Sequence, residues 1–132
     1  MVERKEYLDQ LWAWKDERQI KVVTGIRRCG KSVLLEQYQQ RLLANGVAPE
    51  QIIYINFESL DYEPLKDYMR LYNYLKERLC VDKMTYIFLD EVQEVPSFEK
   101  VVDSLYIRDH VDVYITGSNA YMLSSELATL LS

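Results

Sequence analysis

The residues with the clearest chemical potential form one short segment, Gly25 to Ser32, which reads Gly-Ile-Arg-Arg-Cys-Gly-Lys-Ser. This spacing fits the pattern G-x-x-x-x-G-K-[ST], in which a glycine-containing loop turns its backbone N–H groups around a phosphate. The pattern predicts that Lys31 reaches the β- and γ-phosphates of a nucleotide and that the Ser32 hydroxyl binds Mg²⁺. A helix beginning at this point adds the attraction of its positive end for negative charge.

A second chemical signal is the acid pair Asp90-Glu91, which follows the apolar run Tyr86-Ile87-Phe88-Leu89. An aspartate at the end of a buried strand can hold the Mg²⁺ that Ser32 binds. Glu91 points to a different side and is the candidate general base, which would orient or deprotonate a water in line with the γ-phosphate. The pair lies about sixty residues after Lys31, with a strand and two helices between, and this context strengthens the interpretation.

Small polar residues follow the apolar run from Val113 to Thr116. Ser118 and Asn119 are candidates to sense the γ-phosphate or the attacking water by hydrogen bonding. Their alternative role is to cap a helix predicted from Tyr121 to Leu131.

Asn56 and Glu58 stand at the end of an earlier apolar run and offer a similar choice. Ligands of doubly wound sheets lie at the carboxyl ends of strands, so either side chain could face the γ-phosphate. Capping of a turn is the equally weighted alternative. His110 precedes the run from Val113 and is interpreted as a surface residue.

Alternating strands and helices must position these residues. Continuous β-branched and apolar runs are typical of strands buried in a parallel sheet, and they occur at 20–24, 52–57, 86–89 and 113–116. Helical spacing of apolar residues predicts helices at 3–18, 31–45, 65–79, 98–106 and 121–131. Gly46 is expected to end the second helix, Pro64 to lie in the first turn of the third, and Ser97 to cap the fourth.

Two helices carry aromatic residues that allow two interpretations. In the first helix, Tyr7 or a tryptophan either covers the sheet as core or lies against an adenine ring, and core is favoured. In the helix 65–79, lysines and arginines alternate with tyrosines, a pattern that single-stranded nucleic acid could use. A solvated charged face with tyrosines on the core side is favoured there.

Composition limits the functional classes. The chain has 132 residues, enough for one domain, and a formal net charge of −5 at pH 7, which argues against a broad nucleic-acid-binding face. No apolar run approaches a membrane span, so a cytoplasmic location and no membrane partner are expected. The two cysteines, Cys29 and Cys80, match no metal spacing or disulfide framework and are expected to be reduced thiols.

The absence of two short motifs narrows the nucleotide-binding class. No Asn-Lys-x-Asp follows the fourth predicted strand, so the guanine-selective GTPase pattern is missing, and no Leu-Ser-Gly-Gly marks a transporter-type ATPase. Small-molecule kinases exclude water from the site, whereas here a candidate base stands beside the metal ligand. Hydrolysis is therefore favoured.

Four segments resemble a known family, the AAA+/STAND-like predicted ATPases of bacteria and archaea that carry a C-terminal domain of unknown function. The segments are Gly25–Leu35, Tyr54–Glu58, Phe88–Gln93 and Ile115–Asn119, and the paired arginines of the first are the most specific part. The resemblance implies ATP and Mg²⁺ as cofactors, Lys31 and Ser32 on phosphate and metal, Asp90 and Glu91 on metal and water, and a sensor at Ser118-Asn119.

By the same resemblance, the nucleotide-binding loop comprises Gly25, Ile26, Arg27, Arg28, Cys29, Gly30, Lys31, Ser32 and Val33. Two of these residues, Arg27 and Arg28, have no assigned role, since they could meet phosphate or a partner or remain solvated. ATP in preference to GTP is an inference from the family, because no residue identified in the sequence reads the base.

The family also implies an α/β fold, the P-loop NTPase three-layer sandwich with a parallel sheet of strand order 5-1-4-3-2. Family members are several times longer, and the chain stops within the helix predicted after strand four. We therefore expect residues 1–132 to be a truncated ATPase core whose fifth strand is missing. An arginine supplied from outside this core would be lost with it.

Two hypotheses for function follow. In the first, the protein is a Mg²⁺-dependent ATPase in which Glu91 activates water. In the second, it is a nucleotide-dependent switch or interaction module with little turnover, in which bound ATP orders a surface for a protein or DNA partner. A homo-oligomer is a further possible partner. The presence of Glu91 favours the first hypothesis.

Overall fold

The computed structural model describes residues 2–17, 19–24, 28–117 and 129–131, the last three as backbone only. The core of the fold is a five-stranded sheet with strands β1 (Lys21–Val23), β2 (Ile52–Asn56), β3 (Thr85–Asp90), β4 (Val111–Thr116) and β5 (Thr129–Leu131). The strands lie in the order β2-β3-β4-β1-β5, and every neighbouring pair is parallel. The predicted order 5-1-4-3-2 is confirmed.

The expectation that the fifth strand is missing is wrong. Thr129–Leu131 forms β5, and it pairs in parallel with Lys21–Val23 of β1. The three residues fit a helix or a strand pattern, and parallel pairing with β1 decides for a strand. The rest of that predicted helix, residues 121–128, lies outside the described residues.

Four helices cover the two faces of the sheet: α1 (Val2–Ala13), α2 (Arg28–Ala44), α3 (Tyr68–Glu77) and α4 (Phe98–Tyr106). Helices α1 and α2 pack on one face, in a cluster that includes Leu11, Leu34 and Tyr38. Helices α3 and α4 pack on the other, in a cluster that includes Leu71 and Val101. The predicted three-layer sandwich is therefore present.

Side chains of β3 show how one strand serves both layers. Successive residues of a strand point to opposite faces. Tyr86 and Phe88 accordingly lie in the cluster beneath α1 and α2, and Ile87 and Leu89 lie in the cluster beneath α3 and α4. All six residues of β3 are buried, which explains the continuous apolar run in the sequence.

Boundaries of the first three helices differ from the sequence-based expectation. Helix α2 begins at Arg28, three residues before the predicted start at Lys31. The first helix ends at Ala13, five residues early. The segment Leu60–Lys66 is a 3₁₀ helix containing Pro64, and α3 begins only after Asp67, whose carboxylate accepts a hydrogen bond from the Arg70 N–H. Asp67 is extended, with φ −80° and ψ 120°, so a 3₁₀ helix and α3 replace the continuous helix predicted from residue 65.

Two predicted caps have different outcomes. Gly46, just after α2, has φ +98°, as expected of a glycine that ends a helix in the left-handed conformation. Ser97 does precede α4, but its φ is 64° and its side chain makes no capping hydrogen bond. The prediction that Ser97 caps α4 through its hydroxyl is wrong, because that hydroxyl needs an extended backbone to reach the helix N–H groups.

A buried polar group, here called the amino-edge cluster, lies where β1, β3 and β4 begin. Its members are Lys21, Asp112, Tyr114, Tyr38, Asp16 and Tyr86. Lys21 and Asp112 form an ion pair with both side chains fully buried. Asp112 also accepts hydrogen bonds from the Tyr114 hydroxyl at 2.8 Å and the Asp16 N–H at 2.9 Å. Such a buried pair is tolerated because its remaining hydrogen-bonding capacity is satisfied.

In the part of the chain that the structure describes, every helix is too short or too polar to cross a lipid bilayer.

Candidate functional site

The predicted functional residues meet at the opposite edge of the sheet, where β3 and β4 end and α2 begins. Lys31 and Ser32 lie in the first turns of α2, Asp90 is the last residue of β3, and Thr116 is the last residue of β4. Carboxyl ends of neighbouring parallel strands share one edge, which is why residues far apart in sequence converge there. These four residues and Glu91 are called the carboxyl-edge site.

Asp90 is the centre of the hydrogen bonding in this site. Its carboxylate is fully buried and accepts three hydroxyl hydrogen bonds, from Ser32 at 2.6 Å, Tyr54 at 2.7 Å and Thr116 at 2.6 Å. Ser32 and Tyr54 share Oδ2, and Thr116 donates to Oδ1. These hydrogen bonds satisfy a buried polar group that would otherwise be costly to remove from water.

The donor set fits Mg²⁺, which prefers oxygen ligands and usually takes only one or two carboxylates from a protein. Ser32 and Asp90 supply a hydroxyl and a carboxylate whose oxygens are 2.6 Å apart. A serine hydroxyl has one proton and two lone pairs, so donation to Asp90 leaves the Ser32 oxygen able to bind a cation. Ser32 and Asp90 are therefore the residues that would hold the metal.

Lys31 lies beside this pair and is 6% exposed. Its ammonium group donates a hydrogen bond to the Gly117 carbonyl at 2.9 Å and lies 3.6 Å from Glu91 Oε2. A lysine ammonium has three donors, and two contacts of this length leave it able to bind an anion.

Glu91 is 5% exposed and adopts the left-handed conformation, with φ 58° and ψ 51°. Its backbone N–H donates to Thr116 Oγ1 at 2.9 Å, and its Oε1 accepts from the Gln93 amide at 2.7 Å. Thr116 thus holds both acids, accepting from Glu91 and donating to Asp90. Left-handed conformations of non-glycine residues cluster at functional sites, where the surroundings hold them in place.

Tyr54 contributes a hydroxyl that stays protonated. Burial raises the pKa of Tyr54 well above its usual value, and the hydrogen bond to the Asp90 carboxylate raises it further. The Tyr54 oxygen is accordingly a hydrogen-bond donor to Asp90 across the whole physiological pH range.

Several predicted site residues cannot be compared with the structure. Gly25, Ile26, Arg27, Ser118 and Asn119 lie outside the described residues, and Arg28 and Cys29 are described only as backbone at the start of α2. Gly30 and Val33 lie with Lys31 and Ser32 in the opening turns of α2, and the Val33 side chain is exposed.

Asn56 and Glu58 favour the turn interpretation. The Asn56 side-chain oxygen accepts a hydrogen bond from the Glu58 N–H at 3.0 Å, and the Glu58 side chain is exposed. His110 is exposed before β4, as expected.

The aromatic residues favour the core interpretation. Tyr7, Trp12 and Trp14 pack against the buried cluster under α1 and α2, and the Trp12 ring meets the Tyr38 ring edge-on with centroids 6.0 Å apart. On the other face of the sheet, Tyr68, Tyr72 and Tyr74 pack against the second cluster.

The sequence motifs identify no role for Thr116, Tyr54 or Gln93. Each had a detectable signal, since Thr116 and Tyr54 are polar residues in or at the end of apolar strands and Gln93 follows the acid pair by two positions. The sequence does not indicate which of these side chains turn toward Asp90 and Glu91.

Comparisons with known proteins cover nearly the whole chain. A family model described as an AAA domain matches residues 17–132. An uncharacterized protein of Haemophilus influenzae is 45% identical over 133 residues, and an uncharacterized protein of Methanocaldococcus jannaschii is 36% identical over 114 residues. The matched regions cover 100% and 85% of this chain but only 33% and 24% of those two proteins.

Two solved structures share the fold. The structure of PCH-2 from Caenorhabditis elegans has a TM-score of 0.59 at 14% identity and covers 97% of this chain and 42% of that one. The structure of Drosophila ORC bound to AT-rich DNA and Cdc6 has a TM-score of 0.64 at 12% identity and covers 95% of this chain and 50% of that one. The family that the sequence motifs resemble agrees with both comparisons. The chain belongs to the AAA domain family.

Proposed function

We propose that this domain binds ATP with Mg²⁺ at the carboxyl-edge site and hydrolyses it. The observation that carries the proposal is the continuous set of hydrogen bonds from Ser32 through Asp90 and Thr116 to the Glu91 N–H, at 2.6, 2.6 and 2.9 Å. It fixes a metal ligand and a general base relative to each other. Hydrolysis needs this relation, because the metal-bound phosphate and the attacking water must be aligned.

Binding is assigned to the first turn of α2 and the loop before it. Lys31 carries the positive charge for the β- and γ-phosphates, and we assign the backbone of Gly25–Val33 to the phosphate cradle. When bound, Mg²⁺ supplies neutralisation of the charge that develops on the phosphates. Ser32 and Asp90 hold that ion, and Asp90 keeps its orientation through Thr116 and Tyr54.

Glu91 accepts the proton of the attacking water in this proposal. The Gln93 amide donates to its Oε1 at 2.7 Å and the Lys31 ammonium lies 3.6 Å from its Oε2, so both oxygens of the carboxylate have a partner that orients it. Ser118 and Asn119 remain proposed sensors of the γ-phosphate, because they follow β4 directly after Thr116 and Gly117.

Partners and location remain predictions. The chain spans about a third and about a quarter of the two relatives' lengths, so partner contacts of a whole protein are proposals. ORC, which shares the fold, is described as bound to DNA and Cdc6. A protein partner is proposed for this chain on that basis, whereas a homo-oligomer and a cytoplasmic location stay expectations from the sequence. The net charge of −5 argues against a broad nucleic-acid face.

Two substitutions test the proposal. Lys31→Ala should weaken Mg²⁺-ATP binding about 10- to 100-fold in calorimetry, the effect expected from loss of a hydrogen bond to a charged group. Glu91→Gln should retain binding and lower the steady-state hydrolysis rate about 10²- to 10⁴-fold, the range of general-base contributions.

Glu94→Gln is the matched control for Glu91, since Glu94 lies three residues later and is exposed. It should leave both binding and turnover unchanged. Unchanged affinity in Lys31→Ala would contradict the binding site, and unchanged turnover in Glu91→Gln would contradict the general base. Binding without turnover in the unsubstituted chain would support the switch hypothesis instead. Competition with GTP measures the base preference.

A further inference from the structure

Tyr54 makes a contact that the proposed reaction does not require. Its strand β2 lies next to β3, with Tyr54 opposite Phe88 and Asn56 opposite Asp90. The Tyr54 side chain packs in the layer beneath α1 and α2. Its hydroxyl extends beyond Phe88, the residue opposite it, and donates to Asp90 Oδ2 at 2.7 Å. A buried tyrosine hydroxyl needs a hydrogen-bond partner, and the partner here is the carboxylate proposed to hold the cation.

The hydroxyls of Tyr54 and Thr116 together restrict how the Asp90 carboxylate can rotate. A carboxylate has about four acceptor positions, and three of those on Asp90 are taken by Ser32, Tyr54 and Thr116. Thr116 fixes Oδ1, and Tyr54 fixes Oδ2 from the side of β2. Oδ2 is then occupied by two donors, and the acceptor position that remains lies on Oδ1. The direction in which Asp90 faces a cation beside Ser32 therefore depends on Tyr54.

We propose that Tyr54 is a positioning residue of the divalent-cation site, which acts by holding Asp90 Oδ2 beside the Ser32 oxygen. The inference rests on the proposed function, since it assumes that Ser32 and Asp90 hold Mg²⁺ with the nucleotide. Hydrogen-bond partners of metal ligands fix ligand orientation, and their loss typically lowers metal affinity about 10- to 100-fold. Tyr54 should therefore matter for the metal and not for the phosphates alone.

The test compares Tyr54→Phe with Tyr86→Phe. Both tyrosines donate to an aspartate at 2.7 Å, but Tyr86 does so to Asp16 in the amino-edge cluster, at the other edge of the sheet. Each substitution keeps the ring and removes one hydroxyl. Binding of a fluorescent ATP analogue is titrated with Mg²⁺ and, separately, measured in excess EDTA. Free Mn²⁺ is followed by electron paramagnetic resonance in parallel, as a direct readout of cation binding.

We expect Tyr54→Phe to raise the Mg²⁺ and Mn²⁺ concentrations needed for half-saturation about 10-fold, with nucleotide affinity in EDTA unchanged. Tyr86→Phe should leave all three values unchanged. Equal cation affinity in Tyr54→Phe and the unsubstituted chain would overturn the inference. Equal loss of affinity with and without the cation would also overturn it, because Tyr54 would then support only the fold.

The proposed function fails in a different way. An unsubstituted chain that binds no nucleotide, with or without Mg²⁺, would contradict both the nucleotide site and the cation site that Tyr54 serves. A chain whose binding depends on Mg²⁺ to the same degree with and without the Tyr54 hydroxyl would contradict only the role of Tyr54.

Discussion

The two edges of the sheet each hold a buried lysine beside a carboxylate, and the two lysines differ in how closely they bind their partners. In the amino-edge cluster, the Lys21 ammonium is fully buried and bonded to the Asp112 carboxylate and to the Glu17 carbonyl at 2.8 Å. In the carboxyl-edge site, the Lys31 ammonium has one carbonyl partner and lies 3.6 Å from its carboxylate, Glu91.

The difference distinguishes a structural ion pair at the amino edge from a candidate ligand-binding site at the carboxyl edge. The Asp112 carboxylate binds the Lys21 ammonium, a tyrosine hydroxyl and a backbone N–H. These contacts hold strands and loops together and indicate a structural role. Among the described residues, the Asp90 carboxylate accepts from three hydroxyl groups, each of which retains a lone pair for another partner. Residue type and burial are therefore weak guides to function here, and the unused bonding capacity of the partners is a better one.

The largest effect is expected from breaking the amino-edge ion pair. Lys21→Met should lower the free energy of unfolding by about 3–5 kcal/mol, because it leaves the Asp112 charge buried without its counterion. Urea denaturation followed by circular dichroism measures the change. The double variant Lys21→Met/Asp112→Leu should recover part of the loss, since it removes the buried charge. The recovery is incomplete because the Tyr114 hydroxyl and the Asp16 N–H lose their acceptor.

If Lys21→Met instead abolished nucleotide binding in the folded protein at full stability, the assignment of a purely structural role to this edge would be wrong.

A smaller effect is expected from two threonines at opposite ends of neighbouring strands. Thr116→Val removes the hydroxyl between the Asp90 carboxylate and the Glu91 N–H, and the unsatisfied groups should cost about 1–3 kcal/mol of stability. It should also lower ATP turnover, because both acids lose their orientation. Thr85→Val removes a hydroxyl that accepts a hydrogen bond from the Cys80 N–H at 2.8 Å, at the amino edge.

Thr85→Val should leave turnover unchanged, so the pair of variants separates orientation from general stability. Equal turnover in the two threonine variants would contradict the role given to Thr116. Steady-state rates and urea midpoints measured on the same preparations decide the matter.

The smallest effect is expected from Tyr86→Phe, with a loss of about 1 kcal/mol for one hydrogen bond to a carboxylate. Burial, followed by the hydrogen bond to Asp16, raises the pKa of Tyr86 above its ordinary value of 10.0. The unfolded chain therefore ionises this tyrosine first, and the stability that Tyr86 contributes is present below pH 10 and lost as the pH rises above it.

The stability difference between the unsubstituted chain and Tyr86→Phe should accordingly shrink above about pH 10. Urea denaturation across this pH range measures the difference, and absorbance at 295 nm reports tyrosine ionisation. A difference that grew with pH would show that Tyr86 ionises in the folded state before the unfolded one.

The sequence was sufficient to select Lys31, Ser32, Asp90 and Glu91 as one candidate site, because an apolar strand and a characteristic local spacing precede each group. The structure brings these residues together, and their roles in binding and hydrolysis stay predictions. The sequence was insufficient to predict the contacts of the amino-edge cluster. Lys21 and Asp112 are 91 positions apart, and nothing local indicates that β1 lies beside β4. A buried lysine in a strand is chemically interpretable only when its partner is known.

The prediction that β5 is missing was wrong for a different reason. The three residues of β5 satisfy either a helix or a strand pattern, and pairing with β1 decides between them. The contacts of Tyr54 and Thr116 with Asp90 depend on strand register, since a shift of one position would turn each side chain to the other face of the sheet.

The strand β4 carries Asp112, Tyr114 and Thr116 at alternate positions, with valine and isoleucine between them. Alternate residues share one face, so a single stripe about 13 Å long joins the ion pair of one edge to the acids of the other. A slip of one residue would exchange every polar contact in this stripe for a methyl group. Polar pairing at both ends thus selects one alignment of a strand whose apolar residues alone would tolerate two.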